Sequence, residues 1–324
     1  MYEWRQQIQS IVDEIDQCIQ NHHDEALTLR ALANKLGYSE FYATRKFREI
    51  AGMQLRVYLR HRKLAFALKE VRDSDRGLLE IAFDYGFSSH EAFTRAFKAA
   101  YGVTPGAYRK KPTPVVLRTK IHPFDRYFLG LGEIGMMKSA DDVKVYFITL
   151  PAHKFLHIQN AQSNGYWDFW QKQSLIPGQD CETICGLLDS IKGKLDDDGG
   201  SDSDGGSGQI MAYISDPAGR LCDWGFPRVE CYGVRLPLEY QGEVPPQMRM
   251  LEVPQAEYIV FEHGPFDYEQ ENRSVEEKIE KAMATFDFDG TGYCLDTTPG
   301  RVLYFFYQPK RGFKYIRPVR RQTL

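Results

Sequence analysis

Two arginines in the first third of the chain occupy equivalent places in two similar segments. Arg45 and Arg95 each follow a serine by six residues, and each is followed two residues later by a phenylalanine, Phe47 or Phe97. A guanidinium carries paired N–H donors that match the O6 and N7 acceptors of guanine in the DNA major groove. Neighbouring side chains could contact adjacent bases, sugars or phosphates. The predicted DNA-contacting residues are Ser39, Phe41, Thr44, Arg45, Arg48, Ser89, His90, Glu91, Thr94 and Arg95.

The two segments are expected to contact DNA differently because their remaining side chains differ. Phe41 could pack on thymine methyl groups or on sugar. Glu91 only accepts hydrogen bonds when ionised, so it reads a cytosine amino group or lies outside the interface. The second segment is therefore expected to hold phosphates less firmly than the first. Arg48, Lys63 and Lys98 are interpreted either as phosphate contacts or as solvated charges.

The elements that position these side chains are predicted to be short helices joined by tight turns. The second segment has an apolar stripe at three- and four-residue spacing, formed by Ala92, Phe93, Ala96 and Phe97. Gly86 is predicted to form the turn and Ser88 to cap the helix after it. Residues 32–48 repeat this order of short helix, Gly–aromatic–Ser turn and basic helix. An ordinary helical hairpin would also fit one copy, but the repeat favours two helix-turn-helix motifs, each placing one helix in the major groove.

The order Ile-Ala-x-x-x-Gly-Phe-Ser, Phe-x-Arg-x-Phe-Lys, Gly-Val-Thr-Pro and Tyr-Arg within residues 81–109 resembles the signature of the AraC family of transcription regulators. The resemblance covers about the first 110 residues. It implies an all-α domain whose partner is double-stranded DNA. It also implies an aromatic residue and an arginine in the first recognition helix, which Phe41 and Arg45 supply. Family members often have tryptophan in place of Phe41, so the resemblance does not define the sequence preference in detail.

Two further helices are predicted to frame the motifs. Residues 4–19 carry an apolar face expected to pack under the first motif, formed by Trp4, Ile8, Ile11, Val12, Ile15 and Ile19. A helix from Leu55 to Arg72 would be about 27 Å long, commensurate with two recognition helices about one DNA turn, or about 34 Å, apart. Pro105 suits the first turn of a last short helix. We therefore predict that a single chain reads an asymmetric site without forming a symmetric dimer.

The charge distribution divides the chain into a basic front part and an acidic remainder. Residues 1–112 contain 18 Lys+Arg and 14 Asp+Glu, whereas the remainder contains 23 and 30, within a net charge of −3 over 324 residues. A basic surface suits a phosphate backbone and an acidic one does not. The proline-punctuated stretch 110–114 is predicted to begin a linker. The expected division is a DNA-binding domain at 1–111, a linker at 112–142 and a second domain at 143–324.

Several other classes of protein are not supported. No apolar run reaches the roughly 18–20 residues that cross a membrane, and the start lacks the features of a signal peptide. Six scattered cysteines favour reduced thiols in the cytoplasm. Cys181 and Cys185 lack the further ligands of a zinc site, so neither a metal nor a cofactor is predicted. The Asp- and Gly-rich stretch 196–208 lacks the helical flanks and final Glu of an EF-hand and is interpreted as a flexible acidic loop.

Beyond residue 142 the hydrophobic pattern changes from helical to strand-like. Strands are predicted near 143–150, 155–158, 210–214, 258–261 and 302–307, with helices near 165–175 and 272–286. Residues 150–159 and 253–262, 103 residues apart, share a proline and the positions of their apolar residues. The predicted fold class is therefore multi-domain. An all-α N-terminal domain with two helix-turn-helix motifs precedes an α+β domain of two pseudo-symmetric strand–strand–helix–strand–strand repeats.

The stretch from Pro254 to Phe266 and the closing 314–319 resemble the gyrase-inhibitor-like (GyrI-like) effector-binding domain, which follows an AraC-type reader in Rob-like regulators. The resemblance covers about residues 143–321 and implies the sensing of a small molecule. Members of that family commonly carry a glutamate where this chain has Phe305. The acid helps to bind cationic ligands in some members and supports hydrolysis in others. Phe305 therefore weakens a catalytic role and implies no fixed preference for cations.

Strand alternation identifies side chains expected to line an effector pocket. Met211 and Tyr213 should share one face of their strand, as should Phe305 and Tyr307 of another. Tryptophans on a helix and a loop could add aromatic walls, and two acids could bind a cationic ligand. The predicted effector-binding residues are Trp167, Trp170, Met211, Tyr213, Trp224, Glu230, Glu262, Phe305 and Tyr307. A planar aromatic compound is the expected effector, although each aromatic side chain could instead belong to an ordinary core.

The leading hypothesis is a ligand-responsive transcription regulator that is not an enzyme. One alternative makes the second domain a small-molecule hydrolase, which turnover of a bound compound would support. Another makes it a protein-interaction module that binds RNA polymerase or a regulator. A closed second domain without a cavity would favour that third hypothesis.

Overall fold

The computed structural model describes residues 2–23, 27–121, 123–124, 143–197, 208–221, 225–309 and 311–322. The chain forms two compact units. The first, called here the helical unit, contains residues 1–131 and 185–192. The second, called the sheet unit, contains residues 132–184 and 193–324.

The described part of residues 1–131 folds into helices in the predicted order. They are α1 Tyr2–Gln20, α2 Leu29–Lys35, α3 Glu40–Ala51, α4 Leu55–Asp73, α5 Leu78–Asp84, α6 His90–Tyr101 and α7 Pro105–Lys110. Two short helix pairs joined by a long helix are confirmed. Pro105 begins α7, and the hydroxyl of Thr104 accepts a hydrogen bond from the backbone N–H of Ala107. No helix in the described ranges is both long and apolar enough to cross a membrane.

Helix α1 packs under the first helix pair, as its apolar stripe predicts. The stripe residues Ile8, Ile11, Val12, Ile15 and Ile19 are buried. Trp4 is only partly buried and contacts the rings of Tyr38 and Tyr42 at centroid distances of 4.7 and 5.6 Å. These contacts place α1 beneath the turn and recognition helix of the first pair.

A buried ion pair joins α1 to the long helix α4. Arg62 donates from Nε to Asp16 Oδ1 at 2.9 Å and from Nη2 to Asp16 Oδ2 at 2.7 Å. Both side chains are almost fully buried. Removing either partner would leave a buried charge without its counter-ion, a large energetic cost. The pair therefore fixes α4 against the N-terminal helix.

The described part of the predicted linker is packed on these helices. Leu117 is fully buried, and the carbonyl of Arg118 accepts a hydrogen bond from Arg62 at 2.6 Å. Lys120 forms an ion pair with Asp13 at 2.6 Å. Residues 125–142, which make up most of the predicted linker, lie outside the described residues.

The sheet unit is built on a curled antiparallel sheet. Its strands are β1 Lys144–Leu150, β2 His153–Asn160, β3 Gln209–Ile214, β4 Val229–Pro237, β5 Arg249–Val253, β6 Ala256–His263, β7 Tyr293–Leu295, β8 Leu303–Gln308 and β9 Gly312–Arg321. The strand order is β1-β6-β9-β8-β3-β4-β2-β5, and β7 pairs with β9. Three helices complete the described elements, namely α8 Tyr166–Gln173, α9 Cys181–Ser190 and α10 Tyr268–Thr285.

The two faces of the sheet form separate cores. One core contains Tyr213, Leu303 and Phe313 together with Val275 and Ile279 of α10. We call this side of the sheet the helix face. The other core contains side chains from the alternate strand positions, including Phe155, Ala212, Cys231, Tyr258 and Tyr304. We call this side the opposite face.

The predicted elements of the second part are confirmed where strong patterns marked them. Helices α8 and α10 fall at the predicted places, and strands occupy all five predicted stretches. Helix α9 and strands β4, β5, β7 and β9 were not predicted. Strand β4 contains the buried charged residue Glu230, which breaks the apolar pattern that local sequence reading uses.

Candidate DNA interface and candidate effector site

The helix pairs α2–α3 and α5–α6 have the form of two helix-turn-helix motifs at nearly the same spacing. Helices α2 and α5 begin 49 residues apart, and α3 and α6 begin 50 residues apart. Gly37 and Gly86 lie in the turns with φ of 72° and 75°, a left-handed conformation that glycine adopts without strain. The second turn is therefore one residue longer than the first. The two recognition helices, α3 and α6, are equivalent elements of a repeat.

The serines that precede the recognition helices act as helix caps. Ser39 Oγ accepts from the N–H of Tyr42 at 3.3 Å, and Ser89 Oγ accepts from the N–H of Ala92 at 3.1 Å. The prediction that Ser88 caps the second helix is wrong. The extra residue in the second turn moves the extended cap position to Ser89. Both predicted DNA-contacting serines therefore already accept a backbone hydrogen bond.

The solvent-facing side of α3 carries the predicted base-reading residues. Phe41, Arg45 and Arg48 are exposed, and Phe41 is 77 % exposed. The other side of the helix buries Ala43 and Phe47 in the core. The free energy decreases when a partner covers a large aromatic side chain that is otherwise exposed to water. This face is therefore suited to contact with the apolar parts of a ligand as well as with its acceptors.

Local contacts hold two of these side chains in place. Thr44 is half-buried, and its hydroxyl donates to the carbonyl of Glu40 at 2.7 Å. The guanidinium carbon of Arg45 lies 5.5 Å from the centroid of the Tyr42 ring, within the range of a cation–π contact. Arg45 nevertheless remains exposed.

The corresponding side of α6 combines basic and acidic residues. Glu91 and Arg95 are exposed, whereas His90 and Thr94 are half-buried. Hydrogen bonding lowers the pKa of the Glu91 carboxyl: the largest effect comes from the backbone N–H of Glu91 itself and the next from the hydroxyl of Ser89. Glu91 is therefore ionised at neutral pH and only accepts hydrogen bonds. The hydroxyl of Thr94 is buried and has no hydrogen-bond partner among the described residues.

The 50-residue offset makes the two faces directly comparable. Arg45 corresponds to Arg95 and Thr44 to Thr94, while Phe41 corresponds to Glu91. Two exposed guanidinium groups on two equivalent helices can each donate a pair of hydrogen bonds to a base edge or a phosphate. The acid in place of the phenylalanine makes the second face less favourable for phosphate oxygens.

In the sheet unit, strand pairing brings five of the predicted effector residues onto the helix face. Met211 lies directly opposite Phe305, and Tyr213 directly opposite Glu230. Tyr307 lies two residues beyond Phe305 on the same strand, and therefore on the same side. Met211 and Tyr213 are buried, whereas Phe305 and Tyr307 are half-buried. These five residues form one continuous patch across β4, β3 and β8.

Two further aromatic residues, which the sequence analysis did not predict, extend this patch. Tyr315 of β9 stacks on Phe305, with ring centroids 4.7 Å apart and an angle of 15° between the planes. Tyr232 of β4 lies directly opposite Met211. Strand alternation would have identified Tyr232 if β4 had been recognised as a strand.

Glu230 is a fully buried acid with one oxygen engaged. Its Oε1 accepts a hydrogen bond from the backbone N–H of Gly165 at 2.6 Å. Gly165 directly precedes α8, so the carboxylate lies at the positive end of that helix. Its Oε2 has no hydrogen-bond partner in the described part of the chain. Glu230 thus caps a helix and keeps one acceptor available.

The three predicted tryptophans are not equivalent in the structure. Trp170 is buried and packs edge-on against Tyr232 at a centroid distance of 4.8 Å. Its indole N–H has no partner among the described residues. Trp167 is half-buried and contacts the ring of Tyr166. Trp224 lies outside the described residues.

Glu262 is separated from the other predicted effector residues. On β6 it lies two residues from Val260 and four from Tyr258, so its side chain is on the same side as theirs, the opposite face. Tyr146 donates a hydrogen bond to Glu262 Oε2 at 2.8 Å. Burial, followed by this hydrogen bond, raises the pKa of Tyr146 to about 12. The structure therefore does not bring Glu262 and Glu230 into one pocket.

Two clefts on the surface of the sheet unit are lined by described residues. One, of about 340 Å³, is lined by Gln162, Ser163, Asn164, Arg220, Leu221 and Arg228. Its lining includes Asn164, next to Gly165, and Arg228, two residues before Glu230, but none of the predicted effector residues. The second cleft, of about 270 Å³, is lined by residues of β2, the segment after α8, the segment before β5 and Arg249 at the start of β5.

Comparison with known proteins identifies relatives of the helical unit. Residues 32–111 match a family model described as a helix-turn-helix domain. The chain is 38% identical over 109 residues to the TetD protein of transposon Tn10 from Escherichia coli, which covers 34% of this chain and 79% of TetD. It is 36% identical over 103 residues to the regulatory protein SoxS of Salmonella typhimurium, covering 32% of this chain and 96% of SoxS.

Another relative and a solved structure extend this comparison. The right origin-binding protein of Escherichia coli is 37% identical over 143 residues, covering 44% of this chain and 43% of that protein. A crystal structure of a transcriptional regulator from Chromobacterium violaceum, described as having an AraC-type DNA-binding domain, matches 32% of this chain and 91% of its own. The identity is 22% and the TM-score 0.29.

Proposed function

The chain belongs to the AraC family of DNA-binding transcription regulators, and we propose that one copy reads an asymmetric duplex with both motifs. The single observation that supports the proposal most is the equivalence of the exposed faces of α3 and α6, with Arg45 and Arg95 at matching positions. Residues 1–111 form the proposed DNA-binding domain. Phe41, Thr44, Arg45 and Arg48 contact one half of the site, and His90, Glu91, Thr94 and Arg95 contact the other. Ser39 and Ser89 hold the starts of the two recognition helices.

We further propose that residues 143–324 bind a small aromatic effector and that 125–142 belong to the linker before them. The patch supports this proposal, because the half-buried rings of Phe305 and Tyr307 lie on the same face as the buried Met211 and Tyr213 and offer stacking area to a planar ligand. Glu230 supports it further, since Oε2 of this buried acid has no partner among the described residues. A positively charged or hydrogen-bond-donating group of the ligand would satisfy that oxygen.

We also propose that the sheet unit consists of two related repeats. Read inward from its two edges, the strand order is β1-β6-β9-β8 and β5-β2-β4-β3. Each strand of one series has a counterpart in the other. The first strand of each repeat pairs with a strand of the other repeat: β1 pairs with β6, and β5 pairs with β2. The helix-face patch includes residues of the two central strands, β3 and β8, where the repeats meet.

A second candidate function for the sheet unit is binding to another protein, such as RNA polymerase. Strand β1 pairs only with β6 among the described strands and exposes Val145, Tyr146 and Phe147. An apolar edge strand offers free backbone groups to a partner strand. Hydrolysis is less favoured, because Phe305 supplies no acid or base at the position where the resembling family often has a glutamate.

The effector proposal is tested by tryptophan fluorescence of the full chain carrying Trp4→Phe, titrated with a cationic acridine dye and an uncharged flavone. We expect saturable quenching by at least one compound. The variant Glu230→Gln should weaken binding of the dye and leave flavone binding unchanged, because it removes a negative charge and retains the shape. The absence of a saturable response to either compound would contradict the proposal and favour the protein-binding function.

A further inference from the structure

Residues 185–192 are far from the motifs in sequence, but they form part of the helical unit. We propose that this segment is a positioning element for DNA reading: it holds the end of α4 against α7 and thereby fixes the separation of the two motifs. The proposal rests on the proposed DNA-reading function. It assigns a role in recognition to residues outside both motifs.

The side chain of Arg72 makes the central contact. Its Nη1 lies within hydrogen-bonding distance of three carbonyl oxygens, at 3.1 Å from Asp189, 2.8 Å from Ser190 and 3.1 Å from Ile191. The last carbonyls of a helix lack partners within that helix and carry its negative dipole. A guanidinium there satisfies the carbonyls and opposes the dipole. Asp73 holds the other side of the fork through Nε and Nη2, at 2.9 and 2.6 Å.

Further contacts join the same segment to two other parts of the helical unit. The hydroxyl of Tyr108, on α7, donates to the carbonyl of Ser190 at 3.3 Å. The backbone N–H of Val115 donates to Ser190 Oγ at 3.0 Å. Lys69, one turn before Arg72 on α4, forms an ion pair with buried Asp189 at 3.1 Å. The segment therefore bonds α4, α7 and the chain after α7 at one place.

Gly186 shows how closely the segment fits. A Cβ atom at this position would lie 2.4 Å from the carbonyl oxygen of Leu117 and 2.8 Å from its nitrogen. Both are backbone atoms, so the helix or the chain at Leu117 would have to move. Alanine is normally better than glycine inside a helix, and here the close approach reverses that preference.

The position of these contacts determines their consequence for DNA binding. Helix α4 connects the first motif to the second, and α7 follows the second motif. Arg109 of α7 also donates to the carbonyl of Val71 on α4 at 3.0 Å. Loosening the segment frees the end of α4, from which the second motif departs. The spacing of the two recognition helices then becomes variable, while each motif keeps its own face.

The test uses the full chain and a duplex enriched from a random-sequence library by the wild-type protein. Binding is measured to this duplex, to duplexes with one base pair added or removed between the half-sites, and to a duplex with one half-site scrambled. The variants are Gly186→Ala, which disturbs the contact of the segment with Leu117, and Arg72→Lys, which disturbs its contact with α4. Gly106→Ala on α7 is the matched control, because its added Cβ meets only a side-chain atom at an ordinary 3.7 Å.

Wild type and Gly106→Ala should bind the original spacing more tightly than the altered spacings. In both test variants this ratio of affinities should be about fivefold smaller, which is the scale on which residues outside a site modulate coupling. Affinity for the half-scrambled duplex should stay unchanged. The double variant should lose no more than the worse single variant. A general loss of stability would instead weaken binding to every duplex alike.

Three results would overturn the proposal. The first is an unchanged spacing preference in Gly186→Ala with wild-type circular dichroism. The second, which applies if that variant does not fold, is an unchanged preference in Arg72→Lys, which keeps the charge but replaces the guanidinium fork with a single ammonium. The third is failure to enrich any duplex, which would remove the DNA-reading function and this proposal with it. In the first two results the DNA-reading function stands.

Discussion

At the scale of single residues, DNA reading depends on side chains that the core leaves exposed. Phe47 and Phe97 are buried, and this orientation turns Arg45 and Arg95 to the outside of their helices. Arg45 is expected to be the stronger reader, because α6 carries the ionised Glu91 where α3 carries Phe41. An anionic neighbour repels the phosphates that flank any base contact.

Arg45→Ala is therefore expected to lose roughly 1–3 kcal/mol of binding to the selected duplex, as for an arginine that pairs with a guanine edge. Fluorescence anisotropy with a labelled duplex measures the loss. Arg273→Ala is the charge-matched control, since Arg273 is an exposed arginine of α10 in the sheet unit. If Arg45→Ala binds as tightly as the control, Arg45 is not a base-reading residue.

The sequence predicted the outward orientation of these residues but not every local detail. Helical spacing of Phe93, Ala96 and Phe97 determines which side of α6 is buried, so the outer side follows directly. The choice between Ser88 and Ser89 as the cap depends on the length of the turn. Two adjacent serines have the same chemistry, and only the backbone conformation distinguishes them.

At the scale of elements, the cap of α6 provides a direct test of the described turn. Ser89→Ala should lower the free energy of unfolding by about 0.5–2 kcal/mol, because it removes the acceptor for the N–H of Ala92. Ser88→Ala is the matched control and should change it by less than about 0.5 kcal/mol, as is usual for surface positions. Denaturant unfolding measures both. A larger loss for Ser88→Ala would contradict the assigned cap.

Elements with a regular apolar period were predictable, whereas β4, in which buried charged residues interrupt that period, was not. The buried stripe of α1 and the apolar runs of β6 and β8 are visible in the sequence. Strand β4 contains Glu230 and Arg235, whose partners are Gly165 and Asp196. Their burial becomes acceptable only once the chain is folded. Local patterns cannot reveal such partners.

At the scale of the whole molecule, one chain contains two readers and a third, distant segment that completes the unit around them. The contacts of Arg72 with residues 189–191 span 117–119 positions in sequence. No local period marks contacts over such separations, so the role of residues 185–192 could not be predicted. The basic front part and acidic remainder, by contrast, follow directly from composition. They indicate which part of the chain faces DNA.

A hydroxyl-radical footprint on the selected duplex shows whether one chain reads DNA with both motifs. The complex is first sized by analytical ultracentrifugation, so that the number of chains per duplex is known. We predict one chain per duplex and two protected patches of unrelated sequence, about 34 Å apart, or one turn of DNA. Arg45→Ala should weaken one patch and Arg95→Ala the other. A single patch, or a palindromic footprint with two chains bound, would show that one chain does not read DNA with both motifs.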